Sequence, residues 1–185
     1  MSIRLILGGP PNSGKSTLAA AIVMAMQEGQ IDADWEDLDP WAPTMDYLRG
    51  NISKEQRDAQ KRKSISKQEI SEIVKRFTDK AKKHQVLIAD APGGMSAESE
   101  AIYKAASHAI IICRQDKKGE LAKWRDFLEK LGVELVAIII SKLDGNENIQ
   151  TNDLIEAELV SLDRNPRLSP ATRQLASLLK SKLGI

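Results

Sequence analysis

The segment that most constrains the fold of this chain covers residues 8–17, with the sequence Gly-Gly-Pro-Pro-Asn-Ser-Gly-Lys-Ser-Thr. Within it, residues 9–16 fit the pattern G-x-x-x-x-G-K-[ST], in which glycines let the main chain turn tightly and approach an anion. An apolar run at residues 3–7 precedes the segment, and a helical pattern follows it. A strand, a glycine-rich loop and a helix in this order predict a phosphate-binding loop. The alternative is a plain turn before a helix capped by Ser13 or Ser16.

The residue types of this loop suit the β- and γ-phosphates of a nucleoside triphosphate. Inward-pointing N–H groups form an anion nest, and the N-terminus of the following helix adds partial positive charge. Lys15 is expected to contact the phosphates, and the Ser16 hydroxyl is expected to bind Mg²⁺. The predicted ligands are therefore Mg²⁺ and ATP, with GTP as the alternative. The loop residues expected to contact the nucleotide are Gly9, Pro10, Pro11, Asn12, Ser13, Gly14, Lys15, Ser16 and Thr17.

Length and composition favour one ordinary globular domain over residues 1–185, without an internal repeat or a low-complexity segment. The one cysteine, Cys113, excludes a disulfide within the chain, which fits a cytoplasmic location. No apolar run approaches the length of a membrane span. A net charge of +1 and an aromatic content of 4% give no indication of a nucleic-acid partner.

Continuous apolar runs that alternate with helical patterns predict a parallel sheet with helices on both faces, a three-layer α/β fold. The predicted strands are residues 3–7, 35–38, 86–90, 109–113 and 135–140. The predicted helices are residues 17–28, 66–83, 96–107, 119–131, 154–162 and 169–183. In such a sheet the loops at the carboxyl ends of the strands converge, so the chemistry is expected there.

Two aspartates follow predicted strands at this edge. Asp90 ends an apolar run and is expected to hold Mg²⁺ with Ser16, directly or through water; the alternative is a strand-ending turn residue. Asp39 is expected to orient a water, bind Mg²⁺ or act as a general base, or else to start a turn with Pro40. Together with Lys15, these aspartates are the predicted catalytic residues.

A sharp break, Pro92-Gly93-Gly94, follows the strand that ends at Asp90. Gly93 or Gly94 is expected to give a backbone N–H to the γ-phosphate and to move when this phosphate leaves, as in a nucleotide switch. The alternative is an ordinary turn. Both glycines are therefore predicted to be nucleotide-binding residues.

The segment Ser141-Lys142-Leu143-Asp144 bears on the choice of base. A carboxylate such as that of Asp144 can accept hydrogen bonds from guanine N1–H and from its exocyclic amine, which adenine does not offer. The signature for guanine is [NT]-K-x-D, and this chain has Ser at the first position. Lys142 and Asp144 are therefore predicted to lie near the base, with ATP favoured over GTP.

A basic segment occupies the middle of the chain. Residues 54–83 hold eleven lysines and arginines against five acids. These positively charged side chains are expected to form a solvated helix face. The alternative is that residues 51–67 form a basic lid or switch that closes over phosphates. The predicted lid residues are Arg57, Arg62 and Lys63.

With these motifs the chain resembles the signal-recognition, MinD/ParA and nitrogenase-iron-protein class of P-loop NTPases. The resemblance rests on the phosphate loop, Asp39-Pro40, residues 90–94 and the loop with Lys142 and Asp144. The partitioning branch of this class carries an Asp-x-Asp-Pro element, which residues 37–40 match, and this implies switch and hydrolysis chemistry for Asp39. That branch also has an extra lysine where this chain has Pro10, so a dimer that shares the lysine is not expected.

A narrower resemblance covers most of the chain. Residues 96–102, 108–111, Trp124 and residues 131–137 are similar to the P-loop domain appended to some CRISPR-associated ring nucleases. In those proteins a small domain that degrades cyclic oligoadenylates precedes the P-loop domain, and no nuclease activity is expected of residues 1–185. The resemblance implies an association with antiviral signalling and supplies no reaction.

The sequence thus predicts a Mg²⁺-dependent NTPase whose slow hydrolysis drives a conformational or partner switch. The alternative is a small-molecule or nucleotide kinase, with the basic segment as its lid and Asp39 as its base. A third interpretation is a non-catalytic, nucleotide-dependent binding module. A protein partner and a homo-oligomer are both compatible with the sequence, whereas a membrane partner is not expected.

Overall fold

The computed structural model describes residues 2–41, 50–59, 65–162 and 168–185. These residues form seven strands, six α-helices and a 3-10 helix at Gln115–Glu120. The strands are β1 (Ile3–Gly8), β2 (Ala33–Asp37), β3 (Val86–Asp90), β4 (His108–Arg114), β5 (Glu134–Lys142), β6 (Asn148–Thr151) and β7 (Ile155–Val160). The helices are α1 (Lys15–Glu28), α2 (Lys54–Ala59), α3 (Lys67–Ala81), α4 (Ala97–Lys104), α5 (Leu121–Leu131) and α6 (Pro170–Leu183).

The strands form one sheet in the order β2-β3-β1-β4-β5-β7-β6. All neighbouring pairs are parallel except β6 and β7, which are antiparallel. The register sets Leu7 of β1 beside Asp90 of β3 and Ile110 of β4. The carboxyl ends of β1, β3 and β4 therefore lie next to one another at the edge where the phosphate loop begins.

Different helices cover the two faces of the sheet. Leu5 of β1 belongs to the cluster that α1 and α6 bury on one face, with Leu175 of α6 fully buried there. Ile6 of the same strand belongs to the cluster on the other face, where Phe77 of α3 and Trp124 of α5 are buried. Burial of each such side chain stabilises the fold by roughly 1.5–3 kcal/mol relative to exposure. The predicted three-layer α/β fold is confirmed.

The helix predicted at residues 154–162 is wrong, because this stretch forms β7. Its side chains alternate: Ile155, Ala157 and Leu159 are buried, whereas Glu156 is exposed and Glu158 lies partly exposed on the same side. A period of two suits a strand with one solvated face. β7 pairs in parallel with β5 on one side and with the short strand β6 on the other. The sheet therefore extends two strands beyond the predicted set.

Serine side chains cap the starts of three helices. The Ser66 hydroxyl accepts from the Glu69 N–H in a capping box, and the Ser96 hydroxyl caps α4 at Ser99. Ser169 caps α6, whose first turn contains proline. Two helices differ from their predicted bounds. α4 ends at Lys104 rather than at residue 107. In the helix predicted at residues 119–131, the first two residues belong to the 3-10 helix and the rest form α5.

Within the described ranges, no helix combines the length and the apolar character needed to cross a membrane. Cys113 is buried in β4, where its Sγ lies 3.1 Å from the Lys117 carbonyl oxygen. Burial raises the pKa of this thiol, and the charge of Glu120 adds to the effect. The thiol is therefore held in its neutral, weakly reactive form.

Candidate functional site

The phosphate loop joins β1 to α1 in backbone conformations that favour glycine. Gly9 has φ +134°, and a Cβ on it would lie 1.9 Å from the Ile112 carbonyl oxygen. Gly14 has φ +90°, and a Cβ there would lie 3.0 Å from Leu162 Cβ. Both positions combine a left-handed conformation with close neighbours, so a side chain does not fit without movement. The loop is thus pressed against the ends of β4 and β7.

Lys15 opens α1 and is buried, with 9% of its surface exposed. Its Nζ donates to the carbonyl oxygens of Gly9 and Pro10 at 3.3 and 3.2 Å. Burial lowers the pKa of Lys15, and the charges of Asp90 and Asp39 oppose this change. The ammonium group is therefore held inside the curve of the loop, where an anion bound by the main chain would meet it.

Asp90 lies at the end of β3, directly behind the phosphate loop, and 3% of it is exposed. Its Oδ2 accepts a short hydrogen bond from the Ser16 hydroxyl. Burial raises the pKa of Asp90 to about 6, although the Lys15 charge and the Ser16 hydrogen bond both lower it. The fold thus brings Lys15, Ser16 and Asp90 together, as the sequence predicts.

Two buried oxygens of this region, Ser13 Oγ and Asp90 Oδ1, have no hydrogen-bond partner among the described residues. Buried polar atoms are rarely left unpaired, so both oxygens are candidates to bind a ligand or an ordered water. Within the described part of the chain, no group of three or more His, Cys, Asp and Glu side chains could hold a metal. Mg²⁺ bound with a nucleotide needs only one or two protein oxygens besides phosphate and water. Ser16 and Asp90 fit that requirement.

Asp39 follows β2, near the same edge of the sheet. Its Oδ1 accepts the Trp41 N–H at 2.9 Å, and its own N–H donates to Asp37 Oδ1 at 2.9 Å. The carboxylate thus takes part in the turn that was the alternative interpretation. It is also close enough to raise the pKa of both Lys15 and Asp90. Asp39 therefore combines a turn contact with an electrostatic influence on the loop.

The turn after β3 touches the phosphate loop at one glycine. A Cβ on Gly93 would lie 2.8 Å from Pro11 N, whereas Gly94 has open space around it. Between this turn and Asp39 lies a cleft of about 530 Å³, called the turn cleft below. The residues that line the turn cleft are Pro11, Asp39, Trp41, Ile65, Pro92, Gly93, Gly94, Ser96, Glu98 and Ser99.

A larger cleft of about 970 Å³ lies on the other side of the phosphate loop and is called the β5 cleft below. It contains the predicted base residues Lys142 and Asp144, and it adjoins the loop at Ser13 and Gly14. The remaining lining residues are Asn12, Arg114, Gln115, Asp116, Ser141, Leu143, Ser161 and Leu162. The phosphate loop thus separates two clefts.

Several β5-cleft residues belong to none of the predicted motifs. Arg114 ends β4 in register with Ser141 of β5, and it forms two hydrogen bonds of 2.9 Å with Asp116. Ser161 and Leu162 follow β7, so the wrong helix prediction concealed them. The strand-ending position of Arg114 is a signal that could have identified it, because Asp90 and Lys142 also lie at the ends of strands.

The side chains of the Lys142 loop are partly engaged. Lys142 Nζ forms a short ion pair with Glu158 of β7, and Lys118 Nζ lies 3.6 Å from the same carboxylate. The hydrogen bond from Lys142 lowers the pKa of Glu158. Leu143, between Lys142 and Asp144, is 91% exposed. The loop therefore presents an apolar side chain at the mouth of the cleft.

The predicted lid is only partly described. Arg62 and Lys63 lie outside the described residues, and so does the side chain of Arg57. In the described part, α3 turns two of its cations toward the edge strand β2. Arg76 Nε lies 2.6 Å from Glu36 Oε1, and Lys80 Nζ lies 2.9 Å from Asp34 and Glu36 oxygens. These two cations are bound to the sheet rather than to a phosphate site.

The fold is shared with solved structures of nucleotide-binding proteins. MinD of Pyrococcus furiosus, a cell division ATPase, aligns with a TM-score of 0.64 and 12% identity over 98% of this chain and 99% of its own. Cobyrinic acid a,c-diamide synthase of Mycobacterium smegmatis aligns at 0.63 and 15% identity over 97% and 94%. MinD of Pyrococcus horikoshii, complexed with Mg-ADP, gives 0.56 and 16% over 95% and 77%.

The fold is similar to that of MinD in both of its structures. Identities of 12–16% show a common fold and no more. No family model matches the chain, and no curated protein matches it either. The resemblance to P-loop NTPases of this class is therefore confirmed at the level of fold, and residue roles depend on the geometry of this chain.

Proposed function

We propose that this protein is a Mg²⁺-dependent NTPase that favours ATP over GTP and works as a conformational or partner switch. The observation that carries the proposal is the buried pair of orphaned oxygens, Ser13 Oγ and Asp90 Oδ1, beside the buried Lys15 ammonium. A buried cation, a hydroxyl and a carboxylate around an anion nest suit a metal-bound triphosphate. Solved structures of the same fold with bound Mg²⁺ and nucleotide support it.

The chain's own groups supply positioning and charge. Lys15 Nζ exchanges its hydrogen bonds to Gly9 and Pro10 for β- and γ-phosphate oxygens, and the loop amides hold the same phosphates. Ser16 and Asp90 hold the ion, which when bound neutralises charge on the phosphate oxygens. Asp39 orients the attacking water or takes its proton.

The preference for ATP rests on the composition of the β5 cleft. A guanine site needs Asp144 held toward the base by the loop that begins at Ser141. Here the neighbouring lysine, Lys142, is paired with Glu158 of β7, and the residue before it is serine rather than asparagine or threonine. GTP remains the alternative that the binding experiment compares directly.

The test is binding of Mg·ATP and Mg·GTP to the wild type, by calorimetry, together with release of phosphate. Lys15→Ala removes the buried ammonium, and we expect it to weaken binding of either nucleotide by roughly 10- to 100-fold, as for loss of a charged hydrogen bond. Lys83→Ala, on the exposed surface, is the matched lysine control. The proposal fails if the wild type binds neither nucleotide, or if Lys15→Ala binds as the wild type does.

A kinase is the second candidate, and the turn cleft is the observation that favours it. This cleft lies across the phosphate loop from the β5 cleft and contains the Asp39 carboxylate. An acceptor hydroxyl there would have a base beside it and the γ-phosphate in front of it. With labelled ATP and a panel of nucleosides and small alcohols, acceptor-dependent label transfer without free phosphate would replace the switch proposal with this one.

The protein is proposed to work in the cytoplasm, in CRISPR-linked antiviral signalling. The nucleotide-dependent switch would control binding to a protein partner or to a second copy of the chain. The support is the similarity of residues 96–102 and 131–137 to ring-nuclease-associated P-loop domains. The measurement is ATP turnover with and without cyclic oligoadenylates, beside size-exclusion chromatography with and without ATP. Unchanged turnover and an unchanged elution volume would remove this setting and leave the nucleotide site in place.

A further inference from the structure

Tyr103 lies beneath the phosphate loop and belongs to none of the predicted motifs. It is the penultimate residue of α4 and is fully buried. Its hydroxyl donates to the Pro92 carbonyl oxygen at 3.0 Å, so it holds the turn that follows Asp90. A Cβ on Gly8 would lie 2.9 Å from Tyr103 Cε1 and 3.0 Å from its hydroxyl oxygen. The same phenol therefore touches the end of β1 and the turn after β3.

The electrostatic surroundings keep this phenol protonated. Burial raises the pKa of Tyr103 well above its usual range, and the charges of Asp90 and Asp39 raise it further. A hydrogen bond with the Gly9 main chain opposes the shift. The hydroxyl therefore keeps the proton that it donates to Pro92, and it lies close to the groups that surround the proposed phosphate site.

The ring of Tyr103 packs against two other aromatic rings. It packs against Trp124 at a centroid distance of 5.8 Å and against Phe127 edge-on at 5.2 Å. Both partners belong to α5 and are buried on the same face of the sheet. Because the three aromatic rings pack on one another, the position of the hydroxyl is fixed. Pro92 thus has a fixed anchor, whereas Gly94, two residues later, has open space around it.

We propose that Tyr103 is a positioning residue that sets the Pro92-Gly93 turn against the phosphate loop, ready to meet the γ-phosphate. The inference rests on the proposed function and names the element that controls the response of its switch. Gly93 already packs on Pro11 of the loop, so a small movement of the turn changes whether its N–H reaches the third phosphate. A diphosphate needs no such contact. Tyr103 therefore favours triphosphate over diphosphate and leaves the β-phosphate contacts unchanged.

The test compares Mg·ATPγS and Mg·ADP binding to the wild type and to Tyr103→Phe. This variant keeps the ring and loses only the hydroxyl, so it leaves the buried Pro92 carbonyl oxygen without its donor. We expect the ratio of the two dissociation constants to shift by about tenfold toward ADP, as for loss of one buried hydrogen bond. We also expect faster hydrogen exchange of the Gly93 and Gly94 amides in the nucleotide-free protein.

Phe127→Leu is the structural control, because it loosens the aromatic cluster and keeps the hydroxyl. It should lower thermal stability without the tenfold change in the binding ratio. Equal ratios in wild type and Tyr103→Phe would overturn the inference while leaving the nucleotide site intact. A wild type that binds neither nucleotide would overturn the proposed function, and this inference with it. An equal change of ratio in both variants would assign the effect to packing and overturn the role of the hydroxyl.

Discussion

The two ends of the proposed nucleotide site are built differently. At the phosphate end, recognition depends on the main chain of residues 9–16 and on buried groups, and Gly9 fits against the Ile112 carbonyl oxygen with no room for a side chain. At the base end, the β5 cleft is lined by side chains from separate loops, among them the 91%-exposed Leu143. Changes at the first end should therefore be large and independent of the base, whereas changes at the second should be small and base-specific.

The largest expected effect is that of Gly9→Ala. The new Cβ would meet the Ile112 carbonyl oxygen at 1.9 Å, in a conformation with φ +134°. We expect the free energy of unfolding to fall by about 3 kcal/mol, from strain and overpacking together. Because the loop must shift, ATP and GTP binding should both fall by more than about 100-fold. Thermal unfolding and calorimetry measure the two effects.

Gly119→Ala is the matched control for this glycine. A Cβ on Gly119 would meet no atom of the described residues within 4 Å, and this glycine, in the 3-10 helix, lines neither of the two clefts. The free energy of unfolding should change by less than about 0.5 kcal/mol, as is usual at the surface. If Gly9→Ala bound nucleotide as well as this control, the phosphate end would not be the rigid part of the site.

The second largest effect is that of Asp90 on the free energy of unfolding, which this carboxylate lowers when it ionises. The folded-state pKa of Asp90 is about 6, raised from 3.8, so the folded protein keeps this proton where the unfolded chain has lost it. Ionisation of Asp90 therefore lowers stability as the pH rises from about 4 to about 6, by about 2–3 kcal/mol in all. Asp90→Asn removes this loss. It should be more stable than the wild type at pH 7 and similar to it at pH 4.

Urea unfolding of wild type and Asp90→Asn at pH 4 and pH 7 measures this difference, with the exposed Asp126→Asn as a control. The same substitution should weaken the dependence of nucleotide binding on Mg²⁺, because Asp90 is one of the two proposed metal ligands. Equal stability of the two proteins at pH 7 would contradict a buried carboxylate that opposes folding. Functional groups that destabilise the fold are common at active sites. Here the Asp90 carboxylate would both destabilise the fold and bind Mg²⁺.

The smallest effect is expected at the base end. Asp144→Ala should leave ATP binding within about twofold, because adenine offers no donor pair to this carboxylate, and should weaken GTP binding by about tenfold. Competition between the two nucleotides for one fluorescent analogue measures the ratio. Equal weakening of both would show that Asp144 supports the cleft rather than reads the base, and the contrast between the two ends would then need revision.

The phosphate end of the site can be predicted from the sequence, whereas most of the base end cannot. Gly9, Gly14 and Lys15 are recognisable because phosphate binding needs particular residue types at fixed spacing, and Asp90 because it ends a continuous apolar strand. The fold class follows from the same apolar runs. These features are local in the chain, so no knowledge of distant contacts is needed to find them.

The base end has no such local signal. Two glutamates in β7 make residues 154–162 resemble an amphipathic helix, although the alternation of Ile155, Ala157 and Leu159 fits a strand. That error conceals Leu162, which packs on Gly14 of the phosphate loop. Tyr103 escapes prediction for a similar reason. Its contact with Pro92 depends on the packing of α4 on α5, which no spacing in the sequence reveals.

The ion pairs between α3 and β2 have a consequence for how copies of this protein behave toward one another. β2 is an outer strand of the sheet, and an outer strand offers unpaired main-chain groups to other chains. Asp34 and Glu36 place charges along it, and Lys80 Nζ also donates to the Trp35 carbonyl oxygen at 2.8 Å. A second strand that docked there would have to displace the lysine and bury the carboxylates. We therefore expect the contacts of Lys80 with β2 to disfavour edge-to-edge aggregation of the sheets.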